Sequence, residues 1–295
     1  MISVRHCGFE IQESFSLGKY NDLAGGGDRL IRGIRFVGVV DAATEKFGNT
    51  WTYEGEQMSG ERVIATLLER HLSQRSDELL SILCDVQREL RGIGLASGIN
   101  LAQAGASPQA SFLLFDAQAK VLYQLGDCNY GIVTGKGFHA VSQERLVDRL
   151  GASKRAQVLR AFLAEGEGVL SSDPGRAAIL EELREAVTLA NADPLRFSPH
   201  DTLYGVPKMD LVYSVFDMNS KPNLTAVAIP REARAIVLSS DGYPKLFSTL
   251  QESEAYLQRS LAEDPMRIKD HPSTKGVAPG AVSYDDRSYV KLVLS

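Results

Sequence analysis

Arg35-Phe36-Val37-Gly38-Val39-Val40-Asp41 is an apolar run that stops at an acid. Its length and its lack of polar alternation predict a strand buried on both faces. A carboxylate at the end of such a strand stands at the rim of the core, where it meets solvent or finds a cation. The form recurs in Val121-Leu122-Tyr123-Gln124-Leu125-Gly126-Asp127 and in Ile236-Val237-Leu238-Ser239-Ser240-Asp241-Gly242. Asp285-Asp286 directly precedes the last apolar run, Tyr289 to Leu294. Several carboxylates converging at one rim repel one another, and a hard divalent ion relieves that repulsion. Oxygen-only ligands select Mg²⁺ or Mn²⁺ over zinc. Asp116 and Asp217 also end apolar runs, but each opens a short polar turn, and turn chemistry accounts for them.

Outward from these strands the apolar period changes in a definite order. Val63, Ile64, Leu67, Leu68 and Leu72 recur at helical spacing over 61–72, with Ser59 as a cap. Leu79, Ile82, Leu83, Val86 and Leu90 form one face of a second helix. Ser111–Phe115 and Lys120–Leu125 flank the turn Asp116 to Ala119 and predict a hairpin. Residues 143–191 read as helical, with Asp173-Pro174 as a cap and first turn. Leu211–Phe216 and Thr225–Ile229 are expected to flank a second polar turn. A helix over 251–263, with Thr249 and Glu252 as its capping box, completes the helices. Hairpins of strands with helices in separate blocks point to an α+β fold of antiparallel sheets covered by helices. The first and last strands must share one core, so a single domain over 1–295 is expected.

Composition excludes several classes. The chain is 44% hydrophobic and 23% charged, enough apolar material for a sizeable core. Its net charge of −5, with no basic block, argues against nucleic acid as a partner. No apolar run approaches the ~20 residues of a membrane span, and Met1 to Cys7 lacks a signal-peptide core, so a cytoplasmic location is expected and no membrane partner. The three cysteines, Cys7, Cys84 and Cys128, are far apart and fit reduced thiols. The run Gly25-Gly26-Gly27-Asp28 lacks the Gly-Lys-Ser/Thr of a phosphate loop and reads as a flexible loop. Gly135-Lys136-Gly137 reads as a turn.

The order and surroundings of the acids resemble the type 2C (PPM) family of metal-dependent Ser/Thr protein phosphatases, in the manner of a divergent bacterial-type member. Val39-Val40-Asp41-Ala42 is similar to its first strand and Asp-Gly motif, and Leu125-Gly126-Asp127-Cys128-Asn129 to its Gly-Asp-Ser motif. Ala110-Ser111-Phe112 resembles the Ala-Thr before that hairpin. Val237 to Gly242 resembles the Ser/Thr-Asp-Gly motif, and Asp285-Asp286-Arg287-Ser288 the motif before the last strand. The resemblance spans about residues 13–295. It implies a four-layer α-β-β-α sandwich with metals at one end between two facing antiparallel sheets, and a helical flap-like insertion at about 143–205.

It also implies roles. Asp41 bridges two Mn²⁺ or Mg²⁺ ions, the Ala42 carbonyl binds one of them, and Asp241 and Asp285 hold the first metal. Asp127 serves a weaker third ion or its water shell, and Asp22 helps bind the second metal. Asp41 and Asp241 are then catalytic. The implied activity is hydrolysis of phosphoserine, phosphothreonine or another phosphate monoester, in a phosphoprotein or a small ester, by a metal-bridged hydroxide.

The sequence departs from the pattern in two places. The family's Asp-Gly-x-Gly-Gly stands here as Asp41-Ala42-Ala43-Thr44-Glu45-Lys46-Phe47-Gly48. The basic residue for substrate phosphate is Lys19 or Arg5, of which Lys19 is nearer in register. The alternative to an enzyme is therefore a catalytically weak or inactive phosphatase-like module that binds and regulates. Successive residues of an extended chain point to opposite sides, so Asp285 is expected at the metal and Asp286 at a turn.

Overall fold

The computed structural model describes residues 5–6, 8–22, 26–44, 46–103, 105–164 and 173–295. Cys7, Gly25, Glu45 and the Arg5 side chain lie outside the described residues. The chain begins β1 (Arg5–His6), β2 (Phe9–Leu17), β3 (Asp28–Arg32) and β4 (Phe36–Ala42). A small hairpin, β5 (Thr50–Tyr53) and β6 (Glu56–Ser59), leads into α1 (Gly60–Gln74) and α2 (Leu79–Ala96). Four strands follow: β7 (Ala110–Asp116), β8 (Val121–Leu125), β9 (Asn129–Thr134) and β10 (Gly137–Val141). A helical stretch holds α3 (Leu146–Ala164), α4 (Pro174–Ala178) and α5 (Leu180–Val187). The remainder is β11 (Thr202–Leu203), β12 (Val206–Pro207), β13 (Thr225–Ala228), β14 (Ala235–Ser239), α6 (Leu250–Glu263) and β15 (Arg287–Leu294).

Two antiparallel sheets face each other, in the orders β1-β2-β15-β14-β9-β10 and β13-β8-β7-β4-β3. Strand β4 shows why. Its side chains alternate, so Val37 and Val39 enter the layer between the sheets, where they join Ile236, Leu238, Val290 and Leu292. Phe36 and Val40 point the other way and pack against Val63, Ile64 and Leu67 of α1 and Leu83 of α2. On the far side, Val237 and Tyr289 meet Leu257 and Leu261 of α6. The four layers are thus helix, sheet, sheet, helix. Each fully buried Val or Leu side chain contributes about 1.5–3 kcal/mol. With both faces buried, a one-residue slip of β4 would exchange its two apolar sets and also turn Asp41 away from the core.

Gly38 sits at the tightest point of this strand. A Cβ there would fall 2.0 Å from the carbonyl oxygen of Leu113 on β7. Gly38→Ala is expected to lower stability at the upper end of the about 1–3 kcal/mol range for overpacking, read as a lower urea midpoint with an unchanged m-value. An unchanged midpoint would show that β4 and β7 can separate freely.

Local signals read from the sequence appear in the structure. Asp173 accepts from the Arg176 amide with Pro174 in the first turn of α4. Thr249 accepts from the Glu252 amide at the start of α6, while the Glu252 carboxylate takes the Thr249 hydroxyl rather than closing a full box. Ser59 stands at the cap of α1 without a side-chain hydrogen bond. Asp116 accepts from the amides of Gln118 and Ala119 in the β7–β8 turn.

One expected strand is absent. Residues 208–211 form a 3₁₀ turn, and Val212–Phe216 makes only isolated bridges, Phe216 to Ala110 and Tyr213 to Ala190. The reason is a side chain. The Asn191 amide donates to the Val215 carbonyl at 2.9 Å and accepts its N–H at 3.1 Å. Val215 is satisfied without a ladder, and β13 pairs with β8 instead.

Candidate metal centre

The parity of β4 that sends Val37 and Val39 inward also sends Asp41 inward, at the open end of the layer between the sheets. Across the ladders Asp28 on β3 stands directly opposite Asp41 on one side, and Ser111 on β7 on the other. Ser111 Oγ donates to Asp127 Oδ1 at 2.6 Å. Asp127 follows Gly126, whose φ of +85° turns the chain there. A Cβ on Gly126 would fall 2.0 Å from Ser111 Oγ, so the glycine is needed for that contact as well as for the turn.

The facing sheet supplies the rest. Asp241 follows β14, and its amide lies 3.5 Å from Asp41 Oδ2. Its carbonyl accepts from the Tyr284 hydroxyl at 3.0 Å. Asp285 precedes β15. Asp41, Ala42, Asp127, Asp241 and Asp285 line one cavity of about 490 Å³.

The charges are unequally compensated. Arg145 pairs with Asp127 and Asp148, and Lys275 Nζ sits 2.5 Å from Asp285 Oδ1. Among the described residues no basic side chain pairs with Asp28, Asp41 or Asp241. Burial, then Asp28, Asp127 and Asp285, hold the Asp41 carboxyl well above the ordinary range. Asp241 is open to the cavity yet ringed by protein. That desolvation, then Asp41 and Asp285, raises it likewise. Asp28 is only 5% exposed. Its pKa is raised by burial first and by Asp286 second, and its Oδ2 has no hydrogen-bond partner among the described residues.

Asp28 was not among the acids expected here, and it is as deeply buried as Asp127. A run of glycines conceals it, although its even spacing with Leu30 puts it on the inward face of β3. Asp22 is not brought to this cluster. It is exposed in the turn after β2, where its carbonyl accepts the Gly18 amide. Lys19 lines a different, smaller cavity beside Met266 and Val277. Asp286 turns away from Asp285 and accepts the amides of Lys19 at 2.8 Å and Gly27 at 2.7 Å. It thereby fixes the segment that delivers Asp28. Cys128 is buried between the sheets, and burial followed by Asp41 pushes its thiol up, away from a nucleophilic role.

The donor set is oxygen alone, and among the described residues it includes a buried carboxylate oxygen without a hydrogen bond and three acids without a basic partner. That chemistry fits a hard divalent ion. As placed, no three acid, histidine or cysteine side chains among the described residues stand close enough to enclose one. The carboxylates have to turn toward each other, and Lys275 has to release Asp285, for a full ligand set to form.

No family model matches the chain, and no curated protein matches its sequence. Among solved structures it is similar to the serine/threonine phosphatase Stp1 from Staphylococcus aureus, at 10% identity and a TM-score of 0.47 over all of both chains. It is similar to PppA, a key regulatory component of T6SS in Pseudomonas aeruginosa, at 12% identity and a TM-score of 0.43, again over all of both chains. A third is the catalytic domain of the serine threonine protein phosphatase PstP in complex with two manganese ions. There the identity is 14% and the TM-score 0.41, over 96% of each chain.

Proposed function

We infer that this chain is a Mn²⁺- or Mg²⁺-dependent phosphatase of the type 2C kind, acting on phosphoserine, phosphothreonine or another phosphate monoester. The observation that carries this reading is that Asp28, Asp41 and Asp241, from both sheets, neighbour one another with no basic partner among the described residues. When bound, the divalent ion lowers the pKa of a water and neutralises charge on the phosphoryl oxygens.

The residues of the chain have separable tasks. Asp41, on a strand buried on both faces, is the rigid centre of the ligand set. Asp241 and Asp285 approach it from the facing sheet, and the Ala42 carbonyl adds a neutral donor. Asp28 takes the place that the sequence suggested for Asp22. Ser111 and Arg145 fix the two oxygens of Asp127, which leaves Asp127 to order water at the rim rather than to hold an ion tightly. No side-chain nucleophile is needed.

Thermal unfolding with Mn²⁺ tests the ion. At ~100 times Kd, binding to the folded state alone adds about 2.7 kcal/mol, so Tm rises. Asp41→Asn/Asp241→Asn is expected to lose that rise while remaining folded. Equal rises in both proteins would place the ion elsewhere.

The regulatory-module reading is favoured by one observation: Lys275 on Asp285 and Arg145 on Asp127 already neutralise two of the acids from within. Turnover of an aryl phosphate with Mn²⁺ or Mg²⁺ separates the two readings. No turnover from neutral to alkaline pH would favour the module.

A further inference from the structure

Besides the acids at its rim, the cavity carries a cluster of basic side chains, with Asp148 beside them. Lys46, Arg176 and Lys275 line it together. Lys275 is engaged with Asp285. Lys46 and Arg176 form no ion pair with any acid among the described residues. Lys46 Nζ donates to the Thr44 carbonyl at 3.2 Å, and Arg176 Nη1 to the Thr274 carbonyl at 2.8 Å. Both cations line the cavity while hydrogen-bonded to neutral carbonyls, and each keeps further N–H donors.

Their placement is built. Lys46 belongs to the loop after β4, where the glycine-rich pattern is replaced. The Lys46 carbonyl accepts from Arg184 Nε at 2.9 Å, which ties that loop to α5. Arg176 is set by the Asp173 cap of α4, whose carboxylate takes the Arg176 amide at 2.8 Å. Burial in the cavity pushes the Lys46 amine down to about 8; Asp148 opposes the fall, and Arg176, Lys275 and Arg145 add to it. Lys46, Arg176, Lys275 and Arg145 outnumber the acids that face Lys46, and an anion among them relieves their repulsion.

We propose that Lys46 and Arg176 form the anion-binding wall of this cavity and hold the phosphate of a phosphomonoester substrate against the acids at its rim. The assignment rests on the phosphatase reading for its substrate, and it moves phosphate recognition from Lys19 to the loop after β4 and the helical segment. A guanidinium and an ammonium suit a phosphate dianion, Arg176 as a fork and Lys46 as a point charge.

Inorganic phosphate and the full chain in EDTA test the wall without any metal. Phosphate is expected to raise Tm of the native protein, and Lys46→Gln/Arg176→Gln is expected to lose that rise. Lys46→Arg/Arg176→Lys, which keeps both charges, is expected to retain it, so that loss in the Gln pair is not a folding defect. With Mn²⁺ present, Lys46→Gln is expected to raise KM for an aryl phosphate about 10- to 100-fold, as for loss of a charged hydrogen bond, with a smaller change in kcat. The proposal is overturned if the native protein shows no rise, if the Gln pair rises as much as the native protein, or if Lys19→Gln is the variant that loses the rise. A phosphate effect that follows Lys46 and Arg176 in a protein without turnover supports the anion wall and sinks the phosphatase reading instead.

Discussion

Asp41→Asn is expected to abolish metal-dependent phosphate hydrolysis while making the metal-free protein more stable. The loss of turnover follows from position. Asp41 is the one acid flanked by Asp28, Asp241 and Ser111 from three different strands or strand ends. Removing one preorganised stabilising group from an active site typically costs about 10²–10³-fold, and a residue that organises the whole ligand set stands at the upper end of that range or beyond it. The gain in stability follows from linkage. The folded-state pKa of Asp41 is raised by burial and by Asp28, Asp127 and Asp285, so the folded chain binds its proton more tightly than the unfolded chain does. The folding penalty is therefore absent below the unfolded carboxylate range, about 3.9. It grows as pH rises toward the folded pKa and is complete above it. At neutral pH in EDTA the asparagine avoids that penalty. About 1 kcal/mol corresponds to roughly 2–4 °C in Tm for chains of about 150–250 residues, so a rise of that order is expected. The native protein should close the gap as pH is lowered toward 5, because protonation does the same work as the substitution. A metal-free Asp41→Asn protein that melts below the native one at pH 7 would mean that the carboxylate is structurally satisfied and not held in readiness for a cation.

Arg155→Met is expected to be among the most damaging single changes in the helical segment. Arg155 is 0% exposed. Its guanidinium donates twice to Asp173, at 2.9 and 2.6 Å, and also to the carbonyls of Met266 and Ser273, each at 2.9 Å. One cation therefore joins α3, the start of α4 and the chain after α6. Methionine fills much of the volume but leaves Asp173 and two partly buried carbonyls without the guanidinium. Breaking a buried ion pair by removing one partner costs about 3–5 kcal/mol, which corresponds to a Tm fall on the order of 10 °C. The same change unmoors Arg176 and Lys275, which follow Asp173 and Ser273 closely in sequence, so the phosphate-dependent rise in Tm should vanish with it. Asp173→Asn has one oxygen and can keep the cap or the Arg155 acceptor but not both, yet Arg155 retains its carbonyl acceptors, so it should cost less. A fall in Tm of under about 2 °C for Arg155→Met would show that the segment is held by its apolar contacts alone.

What the sequence made legible was governed by period and by ending. Strands buried on both faces, such as β4 and β14, announce themselves as apolar runs, and the acids that close them could be read with them. Strand β2 could not, because Glu10, Glu13 and the serines dilute its alternation and its pairing with β15 carries a register shift at Lys291 and Leu292. Asp28 was hidden for a different reason: the glycines before it suggest a loop, and only the partner strand reveals that the chain has already become β3. Leu211–Phe216 has strand-like residues, but the Asn191 side chain takes the place of a neighbouring strand, and no local pattern carries that information. The basic wall is the least legible part. Lys46, Arg176 and Lys275 lie in three distant segments, and nothing within any one of them indicates the meeting.

The pairing of β2 with β15 has a consequence for how the protein is made. Ser16 and Ser288, whose hydroxyls touch at 2.8 Å, are 272 positions apart. At about 5–20 residues per second of synthesis, β2 emerges from the ribosome roughly 15–55 s before the strand it lies against. During that interval the five-stranded sheet, whose strands all lie between Asp28 and Ala228, can form. The facing sheet must wait with an open edge on β14 where β15 will insert. Unpaired edges of this kind recruit other chains, so the nascent protein passes through a window in which its solubility depends on chaperones or on speed. Asp28, Asp41 and Asp127 can assemble with the five-stranded sheet, but Asp285 joins them only when that window closes.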